Sequence, residues 1–63
     1  MSALYRLTMN TIEHAKDSKS LAETKKKIGF LYMYNMFEES EYLDLMAAVT
    51  AKEAELAAKV NRP

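Results

Sequence analysis

Seven of the eight consecutive residues Phe30-Leu31-Tyr32-Met33-Tyr34-Asn35-Met36-Phe37 are apolar or aromatic, in the middle of a chain of 63 residues that is otherwise strongly polar. On a helix the side chains of such a run point in every direction, and a helix that is apolar all round has to be covered on more than one side. One side can face the rest of its own chain. The other needs a partner, so the run favours folds in which a short domain leaves an aromatic face for another protein, first of all for a second copy of itself.

Length sharpens the point. A chain of 63 residues reads as a single domain, residues 1–63, near the size at which one core barely offsets a chain entropy of roughly 1.5 kcal/mol per ordered residue. Domains this small usually add disulfides, a metal or an oligomer partner. With no Cys and one His, the chain has neither a disulfide nor the nitrogen and sulfur ligands of a structural zinc site. No cofactor or metal is expected, and a homo-oligomer, a dimer, is. The start Met1-Ser2-Ala3-Leu4-Tyr5-Arg6 has no apolar leader segment, and Ile28 to Phe37 is about half of the ~20 residues a bilayer demands. The expectation is a cytoplasmic protein without a membrane partner.

Nine basic residues balance nine acidic ones, which leaves no global field to attract nucleic acid or an anionic surface. The charges are nevertheless segregated. Lys16, Lys19, Lys25, Lys26 and Lys27 fall in the first half, and Glu38, Glu39, Glu41 and Asp44 crowd the middle. Such a separation suits head-to-tail docking of two copies, although solvated helix ends explain it as simply.

With one Gly, Gly29, and one Pro, Pro63, the chain lacks the turn punctuation of a β protein, and Ala, Leu, Lys, Glu and Met all favour helix. Ser20-Leu21-Ala22-Glu23 reads as a capping box, which starts a helix near Leu21. That helix buries Leu21, Ile28, Leu31 and Tyr32, pairs Glu23 with Lys27 on its wet side, and ends near Asn35, a residue that tolerates positive φ. The acidic stretch Glu38-Glu39-Ser40-Glu41 complements the dipole of a third helix. Its seam runs through Tyr42, Met46, Val49, Glu53, Leu56 and Val60, widened by Leu43 and Leu45, with Glu55 and Lys59 as an exposed pair. At about 22 residues it would be roughly 33 Å long. The first sixteen residues fit a helix with a stripe of Leu4, Tyr5, Met9, Ile12 and Ala15, or a strand in which Tyr5, Leu7 and Met9 alternate with Arg6, Thr8 and Asn10. The helix is preferred. The expected architecture is all-α, a small helical bundle built on a two-helix antiparallel hairpin with an N-terminal helix, and dimeric.

No pattern carries catalysis. His14 has Glu13 and Asp17 nearby but no nucleophile or second imidazole; Ser18, Ser20 and Ser40 have no partner base, and no Gly-rich loop cradles a phosphate. The acidic group lacks the loop spacing and Gly of a calcium site. The chain reads as a non-enzymatic protein-binding module, an inhibitor, adaptor or assembly factor. Its expected contact residues are Phe30, Met33, Tyr34, Met36, Phe37, Tyr42 and Met46, with methionines supplying an adaptable surface. Stacking of bases on Phe30 and Tyr34 beside Lys26 and Lys27 is the weaker alternative use of the same side chains.

The stretch Ile28 to Val49, with Asn35 at the turn and the pair Glu41-Tyr42 opening the next helix, resembles the helical hairpins of short oligomerisation modules and of small phage and mobile-element proteins. That resemblance implies a regulatory or assembly role through binding. The strand reading of Arg6, Thr8 and Asn10 resembles the ribbon-helix-helix repressors, in which a dimeric N-terminal ribbon enters the major groove. It would make those three residues base readers. Zero net charge, long helices and the lack of a Gly-containing turn depart from that pattern.

Overall fold

Three helices account for the structure, a computed structural model that describes residues 2–60: α1 (Ala3–Glu13), α2 (Ser18–Met33) and α3 (Glu39–Val60). The described residues contain no strand, and together the helices form an all-α bundle. The strand alternative for the N-terminus therefore does not hold. The stripe Leu4, Tyr5, Met9 and Ile12 packs against the core formed with α2 and α3, and its helical period prevails over the two-residue alternation. Arg6 and Asn10, four residues apart, consequently share a face of α1, and Thr8 lies about 200° around the helix from Arg6. Thr8 is half-buried, its hydroxyl donating to the Leu4 carbonyl at 2.8 Å, while Arg6 and Asn10 are exposed.

α2 starts three residues earlier than the Ser20 box suggests. Asp17 is its N-cap, accepting the Ser20 amide at 2.7 Å, so Ser20 lies inside the first turn. Asp is as good a cap as Ser, and placed here it lengthens the helix by most of a turn. This bond from Ser20, aided by nearby Lys19, holds the Asp17 carboxyl below its ordinary range. The Glu23–Lys27 pair is not among the ion pairs of the described residues. Those are Lys25–Glu53 at 3.9 Å and Lys52–Glu55 at 3.0 Å, the latter replacing the expected Glu55–Lys59 contact.

The core consists of Ile12, Leu21, Ile28, Phe37, Leu45, Val49 and Leu56. Burying an aliphatic side chain of this size contributes about 1.5–3 kcal/mol, so the five fully buried ones, Ile12, Leu21, Ile28, Leu45 and Val49, are the main stabilising contribution. On α3 the centre of the buried face is Leu45 with Val49 and Leu56, while Tyr42 and Met46 are half-buried and Glu53 is exposed. Val60, expected on the same seam, has its side chain outside the described residues. α1 and α3 run in step, with Ser2 meeting Glu41 and Tyr5 meeting Asp44 at one common offset of 39 residues.

Candidate interaction surface

The end of α2 determines which aromatic side chains are left uncovered. Asn35 has φ 63°, the left-handed conformation that Asn tolerates and branched residues resist. Around it the Met36 amide reaches the Leu31 carbonyl at 2.9 Å and the Asn35 amide reaches that of Tyr32 at 3.0 Å. These two bonds are the paired closure of a Schellman turn, which satisfies carbonyls that the helix end would otherwise leave open. The turn drops Phe37 inward, to 5% exposure. Phe37 is thus a core residue, packed with Ile28 and Leu45 in the buried cluster, and not part of the exposed face on which it was expected.

Upstream of the turn, α2 is apolar on two sides. Ile28 is fully buried, and Leu31 and Tyr32 are half-buried against the core. The Tyr32 ring stacks on that of Tyr42, with centroids 4.1 Å apart and planes 14° from parallel. At 100° per residue, Phe30, Met33 and Tyr34 fall on the opposite side. Met33 is 69% and Tyr34 72% exposed, with Phe30 and Met36 just over half exposed. Of the seven expected contact residues, these four are presented to the exterior. Tyr42 and Met46 lie at the edge, their surfaces partly used against the core.

Two further large apolar side chains are exposed, Leu43 on α3 and Leu7 on α1. Leu43 was assigned to a widened seam, but it is two residues from Leu45 and so about 200° around the helix from the buried line. That angle is the signal that separates it from the core. Glu39 lies four residues before Leu43, on the same face of α3. Gly29, beside Phe30, has open space where a Cβ would stand.

The polar counterpart of this surface lies at the start of α3. Glu41 is only 7% exposed. Its Oε1 accepts the Glu38 amide at 3.0 Å, and its Oε2 accepts both the amide and the hydroxyl of Ser2 at 3.4 Å. Ser2 is itself the N-cap of α1, its Oγ accepting from the Tyr5 amide at 3.2 Å. One carboxylate therefore serves the first turns of two helices, where the positive ends of both dipoles favour an anion. The Glu38 amide first, then the Ser2 donors, hold its carboxyl below the usual range in spite of the opposing effect of burial. Nearby, burial and the Asp44 carboxylate at 3.5 Å push the Tyr5 phenol up. At the start of α3 the Glu41 carboxylate thus makes the return half of a capping box, on the Glu38 amide. The acidic run was legible as a helix start, but the contact between Glu41 and Ser2 leaves no local pattern.

The remaining titratable groups do not converge. The His14 Nδ1 sits 2.9 Å from the Asn10 carbonyl at the end of α1. Among the described residues no three acidic or imidazole side chains are placed to hold a metal ion, and no helix is long and apolar enough to cross a membrane. Compared with family models, with curated proteins and with solved structures, the chain finds no match in any of the three.

Proposed function

We propose that this chain is a non-enzymatic protein-binding module, an inhibitor, adaptor or assembly factor of the kind phages and mobile elements carry. In this reading α2 and α3 act as an antiparallel helical hairpin, and the outer side of its turn is the docking face. The observation that carries it is the exposure of Phe30, Met33 and Tyr34 on the side of α2 turned away from Ile28, with Met36 exposed in the turn that follows. Aromatics and methionine are the side chains enriched where proteins meet, and a clustered apolar surface is the usual mark of such a site. Replacing Phe30 or Tyr34 by a photoreactive phenylalanine analogue, with Arg6 as the control position, tests it. A discrete polypeptide adduct from positions 30 and 34, with a second copy or with another protein, and absent from position 6, is expected. Equal labelling from position 6, or none from 30 and 34, would discard the docking role.

A further inference from the structure

We infer that the docking face is filled by a second copy of this chain, with the two α2 helices antiparallel across a two-fold axis level with Leu31 and Tyr32. The inference rests on the docking role proposed above and adds the occupant and its register. Along the outer side of α2, Lys19, Glu23, Lys26, Phe30 and Met33 follow one another at spacings of four and three, the repeat that keeps a row of side chains facing a second helix. The row is charged at its N-terminal end and aromatic at its C-terminal end. Past that end come Glu38 and Glu39, both exposed.

Antiparallel pairing resolves this asymmetry. With the axis between Phe30 and Tyr34, each Phe30 lies against the other copy's Tyr34 and the two Met33 side chains meet near the centre. Lys26, one turn before Phe30, then lies toward the Glu38-Glu39 end of the other chain. Among the described residues, Lys26, Glu38 and Glu39 make no ion pair within their own chain. A parallel arrangement would instead set Lys26 against Lys26 and Glu39 against Glu39, which is repulsive at both ends. In a two-fold contact each favourable pair occurs twice.

The size of the surface is also suitable. Phe30, Met33, Tyr34, Met36 and Leu43 are each more than half exposed. At roughly 150–250 Å² for a large side chain, they offer on the order of 600 Å² per copy. A symmetric pair would bury about 1,200 Å², the lower bound for a specific interface. Gly29 adds an open notch next to Phe30, where a helix interior would ordinarily gain from Ala.

Sedimentation equilibrium of the full chain, with helicity monitored by circular dichroism, provides the test. The parent is expected to dimerise at tens of micromolar, and Tyr34→Glu to weaken the dimer at least a hundredfold. Lys26→Glu and Glu39→Lys should each weaken self-association about tenfold. Mixed one to one, those two variants should pair with each other near the parental affinity, because both end contacts become opposite in sign. A parent that stays monomeric at hundreds of micromolar overturns the second copy as occupant, while crosslinking to another protein would still uphold the docking role. A dimer lost on Tyr34→Glu but indifferent to mixing the two charge variants overturns the antiparallel register.

Discussion

The two sides of α2 are built from similar side chains to opposite ends. Facing inward, Ile28 is fully buried and Leu31 and Tyr32 are half covered; facing outward within the same two turns, Phe30, Met33 and Tyr34 keep more than half of their surface. Apolar character therefore does not distinguish core from contact surface in so small a domain. Angle around the helix does, and the difference teaches that hydrophobic content here exceeds what one copy can bury. The inner side sets the stability of the chain; the outer side is left exposed, and it is the docking face in the proposed reading.

The strongest way to break this comparison is to truncate one residue on each side. Ile28→Ala is expected to cost about 2–5 kcal/mol by lost transfer energy and a residual cavity, a large share of the 5–15 kcal/mol typical of folded proteins. Phe30→Ala should leave the unfolding midpoint of the dilute chain within about 0.5 kcal/mol of the parent and weaken association instead. Chemical denaturation at two protein concentrations measures both. If Phe30→Ala destabilises the dilute chain as much as Ile28→Ala does, the outer side is core and the division is wrong.

This division was partly legible in the sequence. The run from Phe30 to Phe37 announced a helix apolar on more than one side, and Asn35 announced its end, because both signals are local: the one is periodicity, the other a residue's tolerance of positive φ. Ile28, Leu31 and Tyr32 were placed correctly on the inner stripe for the same reason. Phe37 was not, since its direction depends on how the chain leaves the left-handed residue, not on its own position in a repeat. Asp17 takes the place of Ser20 as the cap of α2; either residue can close a first turn, and the local sequence does not rank them. The contact between Glu41 and Ser2 spans 39 residues and follows from the parallel course of α1 and α3, which no pattern within either helix encodes.

The turn that separates the two sides gives the next effect. Asn35→Val should cost about 1 kcal/mol or more, because a branched Cβ is crowded at φ 63°. Asn35→Gly should be neutral or slightly stabilising. Thermal unfolding of both variants checks this, and a Val variant that melts with the parent would mean that α2 leaves the core without a left-handed residue. Gly29→Ala is expected to act in the other direction. Open space at the missing Cβ lets the added methyl stabilise the isolated chain by up to about 1 kcal/mol through helix propensity. Should it also weaken association, the notch beside Phe30 receives part of the partner, which would extend the outer side toward α3.

The smallest effect is a slope rather than a midpoint, and it tests whether the polar end of α3 belongs to the stability side of the comparison. The Glu41 carboxyl is held low by the Glu38 amide and the Ser2 donors. Asp17 is held low by the Ser20 amide, and Glu55 by its bond from Lys52. A carboxyl with a lower value folded than unfolded binds fewer protons in the native state, so stability rises with pH through the carboxylate range and is lost as pH falls below about 4. Glu41→Gln removes one of the three contributors and should flatten the acid limb of the stability curve, leaving the portion owed to Asp17 and Glu55. The same variant should leave association at neutral pH close to that of the parent, provided its helicity is retained, because Glu41 points at two helix ends and away from Phe30, Met33 and Tyr34. An acid limb unchanged by Glu41→Gln would mean that the carboxylate's bonds persist in the unfolded chain or are replaced by water. A loss of association at neutral pH would instead couple the two sides through the first turn of α3.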